Sequence, residues 1–137
     1  MLGTLPTTVD RRLRDVIHSR MQDEPVVVLQ GPRTVGKSTL LQALATSRDR
    51  EIIDLDDLAT RDAARADPAL FVRGAPPVLI DEFQHVPELF DSIKAELNRN
   101  GALGRLVLAG STRYASLPAA AQALTGRAHV IDVLPSQ

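Results

Sequence analysis

Gly31-Pro32-Arg33-Thr34-Val35-Gly36-Lys37-Ser38 satisfies the pattern G-x-x-x-x-G-K-[ST] at every fixed position, and it follows the apolar run Val26-Val27-Val28-Leu29. An apolar run of that length reads as a buried strand. Ser38-Thr39-Leu40-Leu41-Gln42-Ala43-Leu44-Ala45 is rich in helix formers and reads as a helix beginning at Lys37. Strand, glycine-bearing loop and helix in that order make a phosphate-binding loop of the Walker A kind. Its backbone N–H groups turn inward as a concave anion site, and the positive end of the helix dipole faces the same anion. Gly31 and Gly36 adopt backbone angles that a Cβ would forbid. Lys37 supplies charge for the β- and γ-phosphates, and Ser38 offers a hydroxyl to Mg²⁺. The spacing predicts a nucleoside triphosphate held by Gly31, Pro32, Arg33, Thr34, Val35, Gly36, Lys37, Ser38 and Thr39. The flanking strand and helix, more than the four fixed positions, separate this reading from a chance match.

The chain has 137 residues, enough for one domain that buries about two-thirds of its unfolded surface. Hydrophobic residues make up 44% and charged residues 24%, with a net charge of −1. That balance gives no electrostatic case for nucleic acid or membranes as partners. Arg11, Arg12, Arg14 and Arg20 read as a solvated helix face. Absence of cysteine excludes disulfides, zinc-thiolate sites and thiol catalysis, and fits a cytoplasmic location. No segment approaches the roughly 20 apolar residues of a membrane span. His18, His85 and His129 are too scattered for a metal site.

Outward from the loop, apolar residues at helical spacing predict an amphipathic helix over residues 9–21, capped by Thr8, within an N-terminal segment (1–24) packed on the core. Residues 51–55 read as a second strand, and Asp57 to Asp67 as a helix that stops at Pro68. Val78-Leu79-Ile80-Asp81 is an apolar strand ending in an acid, followed by a helix carrying Leu89, Phe90, Ile93 and Leu97 on one face. Leu106 to Ala109 gives a fourth strand, residues 115–124 an alanine-rich helix, and Val130 to Leu134 a fifth strand. Short buried strands alternating with helices predict an α/β fold with a parallel sheet covered on both faces. Ligands in such sheets bind beyond the carboxyl ends of the strands, where Gly31 to Ser38, Asp81 and Ser111 all fall.

The chemistry follows from that convergence. A carboxylate at the end of an apolar strand, 44 residues after Lys37, suits a Mg²⁺ that keeps much of its water shell, and assigns Asp81 with Ser38 to the metal. This is the Walker B position. The adjacent Glu82 is a candidate general base for the attacking water. Ser111 and Thr112 place hydroxyls after the fourth strand. Arg113 and Arg127 are candidates for balancing transition-state charge, in the same chain or in a neighbour. No Asn/Thr-Lys-x-Asp motif reads guanine.

Several stretches together resemble a known group. They are Gln30 to Leu40, Asp67-Pro68, Ile80 to Leu89, Leu108 to Ser111, Leu124 to Arg127 and Leu134 to Gln137. The chain resembles the AAA-type ATPase domains of the additional-catalytic-glutamate division of P-loop proteins, found in bacteria and archaea ahead of a C-terminal nuclease-like domain. The resemblance implies a three-layer P-loop NTPase sandwich whose five-stranded parallel sheet has the order 5-1-4-3-2. It implies ATP and Mg²⁺ as ligands, Glu82 as catalytic base with Lys37, Ser111 in a sensor position, and Arg127 in the family's Gly-Arg. Ala109 stands where threonine is common. The expectation is a single ATPase core over residues 1–137 without the C-terminal domain, slow because its site is open. A nucleotide-dependent switch module with negligible turnover and a truncated remnant are the alternatives. The expected partners are ATP and either a second copy of the chain or another protein.

Overall fold

The computed structural model describes residues 8–32, 36–111, 124 and 126–133. The elements are α1 (Thr8–Met21), β1 (Val26–Gln30), α2 (Lys37–Arg48), β2 (Ile52–Asp54), α3 (Leu58–Ala66), α4 (Pro68–Val72), β3 (Val78–Asp81), α5 (Leu89–Arg99), β4 (Leu106–Gly110) and β5 (Ala128–Asp132). A short 3₁₀ turn, Phe83–His85, follows β3. The helix read over residues 115–124 lies outside the described residues except for Leu124, as do Arg33, Thr34, Val35, Thr112 and Arg113.

Among the described residues the five strands form one parallel sheet in the order β2-β3-β4-β1-β5. Read from the other edge this is 5-1-4-3-2, the P-loop order that the resemblance implies. The three middle strands are buried along their whole length, because a sheet with helices on both faces offers no wet side. The period-two alternation of side chains then sorts each strand between two cores. Val26, Val28, Val78, Ile80, Leu106 and Leu108 face one core, closed by Phe83, Phe90, Ile93 and Leu97. Val27, Leu29, Leu79, Val107 and Ala109 face the other, closed by Leu40, Leu41 and Leu44 of α2 and by Ile17 and Met21 of α1.

Three boundaries differ from the sequence reading. Thr8 is the first helical residue of α1, not its cap. The helix ending at Pro68 is followed by a second, because Asp67, at φ −146° and ψ 77°, closes α3 and its side chain accepts from Leu70 N to open α4. Pro68 occupies the first turn of α4, where its missing N–H has no partner to lose. β5 begins two residues earlier than its apolar run, since Ala128 and His129 pair with Val26 and Val27. Strand pairing outweighs hydropathy there, at an edge where Val130 is partly exposed.

Candidate functional site

The carboxyl ends of β1, β3 and β4 lie side by side, with Gln30 opposite Gly110 and Asp81 opposite Ala109. Beyond β1 the chain turns into α2 through Gly36, whose φ of 81° is left-handed and open to glycine at little cost. α2 starts without a side-chain cap at Gly36, and a helix N-terminus is the kind of place that receives an anion. Lys37 is the first helical residue and only 2% exposed. Its Nζ donates to Pro32 O at 2.9 Å.

Ser38 and Asp81 meet although 43 positions separate them: Ser38 Oγ donates to Asp81 Oδ2 at 2.8 Å. The other carboxylate oxygen accepts from Glu82 N at 2.9 Å. Burial pushes the Asp81 carboxyl above its ordinary 3.8; the Ser38 hydrogen bond opposes that shift, and the charges of Glu82 and Asp54 add to it. The pair meets one test for Mg²⁺. Among the described residues there is no group of three or more His, Asp or Glu that could hold a metal. One hydroxyl and one carboxylate, both hard oxygen donors, suit an ion whose remaining positions go to water and phosphate.

Glu82 is 6% exposed and sits at φ 57°, ψ 48°. A left-handed non-glycine residue costs on the order of 1–3 kcal/mol, and such strain concentrates at functional sites. Here it has a visible cause. Phe83 is buried edge-on against Phe90, with ring centroids 5.5 Å apart at 83°, and the turn that buries Phe83 reverses the chain at Glu82. Gly110 makes room for it, because a Cβ at residue 110 would stand 2.5 Å from Phe83 Cε2 and 2.7 Å from Gln84 Oε1. The carboxylate is thereby carried across to β4. Glu82 Oε1 accepts from Gln84 Nε2 at 2.7 Å and from Ser111 Oγ at 3.4 Å.

Lys37, Ser38, Asp81, Glu82 and Ser111 therefore share one end of the sheet. Thr39 lies exposed one residue beyond Ser38 in α2. Arg127 does not join them. It directly precedes β5, its carbonyl accepts from Val26 N at 3.3 Å, and Val26 begins β1. Arg127 thus stands at the amino ends of the strands, the length of β1 away from the loop. That placement corrects the expectation of a catalytic Arg127 acting on a nucleotide bound to its own chain. Strand direction could have revealed this, since a residue just before a parallel strand lies opposite the binding end. Gln84 was missed as a site residue, and its neighbour Glu82 was the only sequence signal.

The model of the AAA domain family matches residues 23–137. Uncharacterized proteins of Mycobacterium bovis and Mycobacterium tuberculosis are each 32% identical to the chain over 124 residues, which is 89% of this chain. The chain spans 27% of the length of those relatives. A shikimate kinase from Acinetobacter baumannii, solved in complex with shikimate, aligns with a TM-score of 0.44 at 22% identity, over 86% of this chain and 60% of its own. Among the described residues no helix is long and apolar enough to cross a membrane.

Proposed function

The chain belongs to the AAA domain family, and from that premise we propose that it binds ATP with Mg²⁺ and hydrolyses it. The observation that carries the reading is the hydrogen bond from Ser38 to Asp81, with Glu82 next to it on a strained turn. Three elements distant in sequence supply a loop lysine, a metal-suited oxygen pair and a second carboxylate at one end of the sheet. A binding loop alone does not need that second carboxylate.

Loop N–H groups and Lys37 Nζ, released from Pro32 O, hold the β- and γ-phosphates. Ser38 and Asp81 would hold Mg²⁺, which would neutralise charge on the phosphate oxygens. Glu82 accepts a proton from a water whose oxygen forms the new bond to the γ-phosphorus, while the β–γ bridging oxygen departs with ADP. Ser111 donates to the γ-phosphate from the other side. General-base assistance of this kind is worth about 10²–10⁴-fold. Catalysis is otherwise positioning and charge balance.

Phosphate release and ATP affinity, measured together, test the reading. Glu82→Gln is expected to bind MgATP as the wild type does and to lose turnover by about 10²–10⁴-fold, while Lys37→Ala loses affinity as well. Equal rates for the wild type and Glu82→Gln defeat the base assignment. Absence of ATP binding by the wild type defeats the whole proposal.

A further inference from the structure

The two most exposed large hydrophobic side chains among the described residues are Leu58, at 64%, and Leu70, at 63%. A lone exposed leucine is ordinary. These two stand toward opposite ends of the edge strand β2, in surroundings of opposite charge. Leu58 opens α3, four positions after Asp54 ends β2. Asp54, Asp56 and Asp57 precede it and Asp62 follows one turn on, against Arg61 and Arg65. Leu70 lines an apolar cleft of about 330 Å³ at the amino ends of β2 and β3, together with Ile53, Phe71, Ala75, Pro77 and Arg50. The segments that frame this cleft carry Arg48, Arg50 and Arg73 against Asp49 and Glu51.

Among the described residues β2 pairs only with β3, so one side of its backbone is open. Leu55 N donates to Asp81 O of β3 at 3.1 Å. N–H groups alternate sides along a strand, so that of Ile53 also faces β3, and those of Ile52 and Asp54 face the open edge. A short edge strand with charged flanks ordinarily discourages pairing. The flanks of β2 favour one arrangement. In an antiparallel pairing of two β2 strands with Ile52 on a two-fold axis, Arg50 of each lies opposite Asp54 of the other. The open N–H groups of Ile52 and Asp54 then meet the carbonyls of Ile52 and Arg50. Ala64 of α3 packs into the same core as Ile53 and Phe71 of the cleft, so α3 and the cleft share one face of the sheet, and the axis keeps them on it. The apposition therefore brings the aspartate-rich start of each α3, with Leu58, toward the arginine-framed cleft of the other copy. An apolar cavity of about 150 Å³ takes a benzene, so the cleft has room for a leucine side chain. Parallel apposition would set like charges together.

We infer that two copies of this chain associate through their β2 edges, antiparallel about a two-fold axis, into one continuous sheet, with Leu58 of each copy seated in the cleft of the other. Such an interface is isologous and closes at two copies. β3 and β4 separate it from β1 and the loop that follows, and the inference does not rest on the ATPase reading.

Sedimentation velocity of the full chain at low salt tests it. The wild type is expected to pass from monomer to dimer between about 10 µM and about 1 mM, as for a small interface, with no larger species. Arg50→Asp and Asp54→Arg each set like charges opposite one another on both sides of the axis, and each alone is expected to weaken the dimer by at least about tenfold. Mixed in equal amounts, the two variants restore unlike charge at both positions, so a mixed dimer forms at wild-type concentrations. Leu58→Asp, at a side chain that the fold leaves mostly in solvent, weakens the dimer by about tenfold as well. A wild type that stays monomeric up to about 1 mM overturns the proposal, whatever other segment the cleft receives. Growth beyond a dimer, the mark of a head-to-tail contact, also overturns it. So do folded charge variants that dimerise like the wild type when alone or stay monomeric when mixed. If either charge variant fails to fold, Leu58→Asp and Leu70→Asp carry the measurement, and a dimer that neither of them weakens overturns the proposal.

Discussion

The two ends of the sheet both bury charge, and they treat it in opposite ways. At the amino ends Arg105, 4% exposed, donates to Glu96 Oε2 and to Val72 O, each at 3.2 Å. Arg99 and Arg73 bring their guanidiniums to the other oxygen of Glu96 at 3.4 and 4.0 Å. Backbone bonds from Arg105 N to Pro25 O and from Val78 N to Arg105 O tie the cluster to the strands. Opposite charges meet there, three guanidiniums around one carboxylate, all supplied by the chain. At the carboxyl ends carboxylates gather, Asp81 beside Glu82 and under the influence of Asp54, with the buried Lys37 at the same end of the sheet. One end ties the fold together, and the other is the end where the proposed nucleotide and Mg²⁺ would arrive.

The largest expected effect breaks the ion-paired end. Glu96→Ala leaves Arg105 buried and facing only a carbonyl, and removing one partner of a buried pair costs about 3–5 kcal/mol. Urea unfolding reads that loss, and ATP affinity of the folded protein should be unchanged. A loss under about 1 kcal/mol would place this pair with surface ion pairs and remove the contrast.

The same kind of substitution at the other end is expected to act with the opposite sign. The folded-state pKa of Asp81 is raised above 3.8, first by desolvation. Above 3.8 the folded protein holds a proton that the unfolded chain has released, so stability falls as pH rises through the folded-state pKa and stays lower beyond it. Asp81→Asn should therefore raise the stability of the nucleotide-free protein at pH 7, with the gain disappearing near pH 3.8 and below. Turnover should drop by about 10- to 100-fold, as when a metal's outer-shell partner is lost. Destabilisation by Asn at neutral pH would show that Asp81 serves the fold more than the site.

Gly110→Ala probes the space between β4 and the turn after β3. The added Cβ would meet Phe83 and Gln84 at 2.5 and 2.7 Å, and overpacking of this kind costs about 1–3 kcal/mol. Because Phe83 sets the turn at Glu82, thermal unfolding and phosphate release should both suffer. Loss of stability with full turnover would separate the turn from the role proposed for the Glu82 carboxylate.

How much of this was legible depends on whether the signal was local. The phosphate loop and Asp81 each adjoin an apolar run that announces a strand end, so their convergence followed from rules about parallel sheets. Glu82 was legible as a neighbour of Asp81, though its left-handed backbone was not, since that is imposed by Phe83 packing beneath Gly110. Gln84 was invisible for the same reason: its bond to Ser111 spans 27 positions and has no periodicity. The distance of Arg127 from the loop of its own chain was not legible, because a Gly-Arg pair says nothing of which end of the strand it occupies, and only its role toward a neighbour's site stays a proposal. Strand β5 was misplaced by two residues because its start depends on pairing with Val26 and Val27.

The smallest expected effect lies on the wet rim of the site end and shows where burial stops mattering. Asp57 caps α3, accepting through Oδ2 from Thr60 N at 3.0 Å and from Thr60 Oγ1 at 2.8 Å. Those bonds, the hydroxyl one first, hold its carboxyl below the ordinary 3.8. A depressed folded-state pKa means that the stabilisation is complete above 3.8 and is lost as pH falls through the lower folded value. Asp57→Ala should therefore speed hydrogen exchange at the first amides of α3 at pH 7, leave turnover unchanged, and differ less and less from wild type as acid protonates the cap. This dependence runs opposite to that of Asp81, although both groups are aspartates on the same side of the sheet. An Asp57→Ala difference that is constant from pH 7 down past the folded-state value would mean that the carboxylate charge is irrelevant to the cap, and that α3 is held by Arg61 N on Asp57 O at 2.9 Å instead.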